Sequence, residues 1–369
     1  MPEPPGEIHA LETDTCPACG AKANWDPGRQ ALTCPYCGTE APVELDQDTG
    51  KVREIPLAKA LREIPESQRG WEAERRTVKC QSCQAVMVFE PDRAGQNCNF
   101  CGSPALVPYE ETKSPLRPQS LLPFKVTQTQ VRESIRKWYA SKWFAPGKLK
   151  TKGLVDTIQG VYLPYWTFDA QAECDWAADA GYYYYTTESY RGSDGKLHTR
   201  QVRHVRWEPR HGHVSHFFDD EPVPGTRGVH TKLLRKVEPF PTQELIPYDK
   251  AYLAGFVVEH YQVVLIDAAR QARESMEAQL RQMCVSQIPG DTHRNLRTQS
   301  QYSGETFKHL LAPVWLLTYD YGRKNYQVVV NGYTGKMDGE YPKSVWKILL
   351  VVLLALIVVA ILVWLRAGS

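Results

Sequence analysis

The chain has 369 residues, of which 42% are apolar and 23% charged, with 44 Lys or Arg against 42 Asp or Glu and a formal charge of +2. These values fit an ordinary globular chain and exclude a composition-wide specialisation, so whatever is special must be local. Ten cysteines are many for a cytosolic protein, but eight of them fall into four CxxC pairs, a pattern of metal ligation rather than of disulfides.

The first thirty residues contain no apolar h-region and no cleavage-site pattern, so no signal peptide is expected. Residues 1–50 carry Cys16-Pro-Ala-Cys19-Gly and, fourteen residues later, Cys34-Pro-Tyr-Cys37-Gly. Residues 76–112 repeat the spacing: Cys80-Gln-Ser-Cys83, fourteen residues, then Cys98-Asn-Phe-Cys101-Gly. Two intervening residues let both thiolates of a tight turn face one tetrahedral ion, and a following glycine relieves the backbone where its amides approach sulfur. Fourteen residues suffice for a hairpin that brings the second knuckle to face the first, with turns at Pro27-Gly28 and Arg93-Ala94-Gly95. The pattern predicts two four-cysteine zinc ribbons and two Zn²⁺ ions, the ligands being Cys16, Cys19, Cys34 and Cys37, then Cys80, Cys83, Cys98 and Cys101. Four thiolates also suit iron, so the metal stays open at this point, whereas a redox dithiol would need one CxxC after a strand of a βαβ unit. Each ribbon has too little apolar surface to fold alone, which makes metal binding part of its folding free energy.

Residues 1–113 hold twelve Lys or Arg against eighteen Asp or Glu, a balance of minus six. A tetrathiolate zinc adds about minus two per site, which takes the region to roughly minus ten. Phosphate binding wants the opposite sign, so the ribbons point to protein partners and away from nucleic acid. Between them, residues 51–75 read as a helical linker that starts at Pro56 and places Leu57, Leu61 and Ile64 on one face.

Residues 120–342 read as one α+β domain, an antiparallel sheet with helices packed on it. "TQTQVRESIRKWYASKWF" sets Thr127 and Gln130 in capping-box spacing and puts Val131, Ile135, Trp138 and Tyr139 on one stripe. "GVYLPYWTFDAQAECDWAADAGYYYYTT" reads as aromatic-rich strand. "DAARQARESMEAQLRQMCVSQIPG" is a second helix, capped by Asp267 and stopped at Pro289-Gly290, with Met276, Leu280, Met283 and Cys284 inward. The likeness of "GVYLPYWTFDA" to "LLAPVWLLTYD", each after a helix, points to a duplicated helix-plus-hairpin unit. Cys174 and Cys284 read as separate buried structural thiols.

Six of the ten histidines lie between residues 198 and 230, and His211, His213 and His216 have a spacing that ligation would allow. The surrounding segment is so polar that an exposed strand and loop accounts for them more simply. Residues 191–236 also hold ten Lys or Arg against five Asp or Glu, a basic surface suited to solvent or to anionic headgroups.

The chain closes on an apolar run of eighteen residues, Ile348 through Leu365, with Trp346 and Trp364 near its ends. A bilayer core needs about 20 helical residues, so residues 345–365, from Val345 to Leu365, are expected to span it as a tail anchor. Lys343 and Lys347 before the run and Arg366 after it place the N-terminal bulk in the cytosol, at the inner membrane.

Several segments, "QRGWEAERRTVKCQSCQA", "PFKVTQTQVRESIRKWYASKWFAP", "YLPYWTFDA" and "LAPVWLLTYDYGRKNYQVVVNGYTGKMDGEYPKS", together with the paired ribbons and terminal span, resemble one family. It is that of bacterial membrane-anchored, TFIIB-type double zinc-ribbon proteins, some named after primosomal protein N prime. The resemblance runs over nearly the whole chain and implies the same eight cysteine ligands. It departs at Gln84, which stands where the usual glycine follows the third knuckle. It also implies work beside flotillin-like or phage-shock-type membrane proteins. The expected function is that of a non-enzymatic membrane adaptor whose ribbons hold a protein partner. A nucleic-acid-binding ribbon protein and a redox or zinc sensor are the alternatives.

Overall fold

The structure, a computed structural model, describes residues 16–41, 54–62, 76–82, 85–89, 98, 100, 103, 106–108, 116–146, 158–191, 193, 197–321 and 324–367. The first ribbon forms β1 (Asn24–Asp26), β2 (Ala31–Thr33) and β3 (Glu40–Ala41), an antiparallel sheet in that order. Next come β4 (Ile55–Pro56) and α1 (Leu57–Arg62), then β5 (Arg76–Cys80), β6 (Val86–Phe89), β7 (Leu106–Pro108) and β8 (Ser120–Leu121). Helix α2 (Gln128–Ser141) leads to a long hairpin of β9 (Gln159–Arg191) and β10 (Leu197–Pro224). Helix α3 (Thr231–Val237), β11 (Ile246–Pro247) and β12 (Val257–Glu259) precede α4 (Leu265–Gln287). Then follow β13 (Thr292–Tyr321), β14 (Lys324–Asn331), β15 (Met337–Gly339) and α5 (Val345–Ala367).

Twelve strands make one sheet, whose main path is β11-β8-β13-β9-β12-β6-β5-β7. The expected antiparallel sheet is corrected here, because the sheet is mixed. Val257 and Val258 of β12 pair in parallel with Val161 and Tyr162 of β9, and β8 runs parallel to β13 at Leu310 and Leu311. These parallel partners are two- and three-residue strands brought in from distant parts of the chain, and side-chain periodicity records a strand's faces but not its neighbour's direction. The two similar segments lie side by side: Leu163 of β9 opposes Ala312 of β13, and Pro164 opposes Leu311. Each opens a hairpin, β9 with β10 and β13 with β14.

Strand β9 shows how the body is layered. Val161, Leu163 and Tyr165 join one apolar cluster with Leu233 and Leu234 of α3 and with Cys80 and Phe100 of the second ribbon. Tyr162 points the other way, into a cluster with Trp25 of the first ribbon, Phe124 and the α2 stripe Val131, Ile135 and Tyr139. Farther along, Ala172, Cys174, Trp176 and Ala178 face Ala272, Met276, Leu280 and Cys284 of α4. The period of two in this part of β9 meets the 3.6-residue stripe of the helix.

Helix α2 starts as its sequence predicts: Gln130 N–H donates to Thr127 Oγ1 at 3.3 Å, and Thr127 N–H donates to Gln130 Oε1 at 2.8 Å. Helix α4 starts otherwise. Its N-cap is Val264, and Asp267 sits in the first turn bonded to the Arg270 guanidinium. Helix α1 is short and docks on the body through Leu57 and Ala60, beside Trp166 and Phe307, while Leu61 is exposed. Ile64 lies outside the described residues.

The tail requires a second correction. Residues 345–367 do form a helix, and Lys347 Nζ donates to the carbonyls of Trp143 at 2.7 Å and Ala145 at 2.8 Å, tying its start to the loop after α2. Among the described residues, however, no helix is long and apolar enough to cross a membrane. The transmembrane segment between Val345 and Leu365, the tail anchor and the inner-membrane placement drawn from it are overturned by that finding.

Candidate metal centre

The first ribbon brings Cys16, Cys19, Cys34 and Cys37 together with all four sulfurs within 4.8 Å of one another. Cys16 Sγ lies 3.4 Å from Cys37 Sγ, and Cys19 Sγ lies 3.5 Å from Cys34 Sγ. A disulfide would stand at ~2.05 Å, and a tetrahedral zinc with Zn–S bonds of ~2.3 Å spaces its sulfurs ~3.8 Å apart. The cluster is therefore near the size of a single tetrathiolate ion.

Both knuckles are built alike. Cys16 N–H donates to Ala21 O at 2.7 Å and Gly20 N–H to Cys16 O at 2.8 Å; Cys34 N–H donates to Thr39 O at 2.9 Å and Gly38 N–H to Cys34 O at 3.0 Å. Gly20 and Gly38 both adopt a φ of 72°, the left-handed conformation that this turn demands and that a side chain disfavours. The hairpin between the knuckles turns where Asp26 Oδ1 accepts the Gly28 amide at 2.8 Å and the Arg29 amide at 3.3 Å.

The donor set fits a cation. The Thr39 hydroxyl, 3.1 Å from Cys37 Sγ, and the Thr39 amide draw the Cys37 thiol down to about 6. The Ala21 amide pulls Cys19 the same way, but the Cys34, Cys37 and Cys16 thiols, with burial, outweigh it and push Cys19 up to about 12. Four sulfurs this close ionise together only with positive charge among them.

The ribbon is held firmly on the body. Trp25 N–H donates to Ala254 O at 3.1 Å, its ring lies 4.3 Å from that of Tyr252, and Gln30 Nε2 donates to Phe124 O at 2.8 Å. The knuckle tips face outward: Pro17, Ala18, Pro35 and Tyr36 are exposed, Tyr36 to 82%.

Of the second ligand set, Cys80 and Cys98 are described and fully buried, while Cys83 and Cys101 lie outside the described residues. The same knuckle closure recurs: Cys80 N–H donates to Ala85 O at 2.9 Å, and Cys98 N–H to Ser103 O at 2.7 Å. The Phe100 amide donates to Cys98 Sγ at 3.4 Å. Unlike the first ribbon, this one is an integral part of the large sheet, since β6 pairs with β12.

The histidine trio does not gather. His213 is clamped between carboxylates, Nδ1 2.8 Å from Asp175 Oδ1 and Nε2 2.8 Å from Glu173 Oε2, and those two bonds raise its pKa. His216, an odd number of residues away along β10, projects to the opposite face, where its ring lies 4.6 Å from that of Phe218. One carboxylate group escaped sequence reasoning: Asp169, Asp219 and Asp220 converge. The cation there is internal, since Lys308 Nζ lies 2.7 Å from Asp220 Oδ1 and 3.3 Å from Glu54 Oε1. A lysine alternating into a strand core at position 308 was the available signal.

No protein-family model matches the chain, and no solved structure matches it. The chain is similar to the uncharacterized protein YdjG of Bacillus subtilis strain 168, at 25% identity over 234 residues, which are 63% of this chain and 66% of that protein.

Proposed function

We propose that the protein is a non-enzymatic adaptor in which structural zinc rigidifies ribbons that hold a protein partner. The observation that carries this is the first cysteine cluster: four thiols fill a tetrahedral set and leave no open position, which marks structural rather than catalytic zinc sites. Zinc at this site sits in Cys16, Cys19, Cys34 and Cys37, and a second zinc sits in Cys80, Cys83, Cys98 and Cys101. Tyr36, carried on a rigid knuckle and 82% exposed, has the character of an interface anchor, and the acidic balance of the region favours a protein over a polyanion. The test is affinity capture by the zinc-loaded full chain and by Tyr36→Ala. A partner retained by the parent and lost from Tyr36→Ala supports the reading, and an identical partner set from both removes it.

A second reading has its own observation. Past the Thr292–Gly181 pair, β13 no longer covers β9, and the β9/β10 hairpin continues as a two-stranded arm. Along it Arg200 lies over Tyr190, Arg203 over Tyr183 and Arg206 over Tyr182, at 5.6, 4.4 and 5.7 Å from the ring centroids. Cations interleaved with aromatics suit single-stranded nucleic acid. Salt-sensitive binding of a poly(dT) oligonucleotide, lost in Arg200→Glu/Arg203→Glu, would favour it; absence of binding at low salt would remove it.

A further inference from the structure

Cys174 and Cys284 are 110 positions apart, yet their sulfurs touch at 3.7 Å. Both side chains are fully buried, Cys174 on the α4-facing side of β9 and Cys284 in the last turns of α4. Two sulfurs in van der Waals contact need only close to ~2.05 Å to become a disulfide. The pair does not belong with the metal ligands, since among the described residues no third sulfur, imidazole or carboxylate groups with it at ligand spacing.

The surroundings supply a route for a proton. Ser300 Oγ lies 3.4 Å from Cys174 Sγ and 3.0 Å from Glu277 Oε1, and Tyr302 OH donates to Glu277 Oε2 at 3.0 Å. The serine hydroxyl thus joins the buried thiol to a half-buried carboxylate. Burial, with the neighbouring Cys174 thiol, pushes Cys284 up to about 12, and Cys174 is the sulfur with the Ser300 hydroxyl against it, which makes Cys174 the attacking sulfur.

We propose that Cys174 and Cys284 are a redox modification site, a dithiol that a hydroperoxide oxidises to a disulfide tying the end of α4 to β9. Cys174 gives its proton through Ser300 toward Glu277 and attacks the outer peroxide oxygen. The O–O bond breaks, the sulfenic acid Cys174–SOH forms, and the alkoxide or hydroxide leaves with that proton as an alcohol or water. Cys284 sulfur then attacks Cys174 sulfur; the S–O bond breaks, and hydroxide departs with the Cys284 proton as water. Two thiols lose two electrons to one peroxide, and no other reductant or oxidant is needed. Because the thiols are buried and Cys284 holds its proton, the reaction is slow beside that of exposed redox sensors. The site is independent of the adaptor reading, which concerns the ribbons.

The experiment uses the zinc-loaded full chain, treated with hydrogen peroxide, then unfolded, alkylated and digested without reductant for mass spectrometry, with zinc counted in parallel. The expected result is a peptide pair crosslinked through Cys174 and Cys284 and lacking two hydrogens. It forms at unchanged zinc content, with a Tm several degrees above that of the reduced chain. Cys284→Ser gives neither crosslink nor Tm rise, and Cys284→Ala serves if the serine variant melts without cooperativity. Ser300→Ala slows crosslinking severalfold and leaves its end point unchanged, which mere packing at Ser300 would not do. Recovery of both thiols in alkylated form after exhaustive treatment overturns the proposal. So does a crosslink that joins either residue to a ribbon cysteine and appears only as zinc is lost.

Discussion

The Ser82 hydroxyl donates to the Ser103 hydroxyl at 2.9 Å, and this bond joins the two knuckles of the second ribbon. Ser82 lies inside the Cys80 knuckle and Ser103 accepts the Cys98 amide, so the bond draws two turns together much as a shared ion would. The two ribbons differ in what depends on them. The first is a small sheet docked on the body, whereas the second is woven into the twelve-stranded sheet, with Cys80 at 0% exposure.

Metal removal is therefore expected to act unequally. Native mass spectrometry of the full chain should count two zinc ions, Cys16→Ser and Cys80→Ser each removing one. Cys16→Ser should leave the main melting transition nearly unmoved, while Cys80→Ser should lower it by several degrees, because the sheet itself loses a metal-linked edge. Equal shifts in the two variants would contradict this division.

The docking of the first ribbon can be separated from its metal. Trp25 lies against Tyr252 and is 5% exposed. Trp25→Ala should weaken docking by about 3–5 kcal/mol, the usual range for a buried aromatic cut to alanine. Zinc content should stay at the parental value while limited proteolysis after the ribbon speeds up. Loss of zinc in this variant would mean that the ribbon folds only on the body.

Much of this local structure was legible beforehand. The Thr127 and Gln130 pair announced the start of α2, and the CxxC spacing announced the first sulfur cluster, because capping and knuckle turns are made by residues close in sequence. What stayed hidden depended on residues far apart. Nothing in "QAECDW" or "RQMCVS" tells Cys174 that Cys284 will face it, and nothing near Lys308 tells it that Asp220 will. The parallel pairing of β12 with β9 was equally hidden, since alternation is the same for either strand direction. Apolar length alone misled at the tail, where the composition of α5 was read as a membrane span.

The capping box offers a clean local test. Thr127→Ala removes the acceptor for the Gln130 amide and should cost about 1 kcal/mol in denaturant unfolding, with the slope unchanged. Thr127→Ser keeps the acceptor and should cost far less. A loss from the alanine variant no larger than that from the serine variant would show that the cap is not what starts α2.

The pH dependence of stability should carry the mark of His309. This side chain is 2% exposed and stacked on Trp166 with ring centroids 4.5 Å apart. Burial, reinforced by the neighbouring His260, holds its pKa down at about 3 against an ordinary 6.5. The folded protein then keeps His309 neutral while the unfolded chain binds a proton below about pH 6.5, so protons favour unfolding. Its contribution is fully present above pH 6.5 and is lost as pH falls toward 3, at a limiting slope of about 1.4 kcal/mol per pH unit. His309→Phe keeps the stack and removes the titration, so its stability between pH 6.5 and 4 should fall less steeply than that of the parent in denaturant melts. Identical slopes for the two proteins would place the acid sensitivity in other groups.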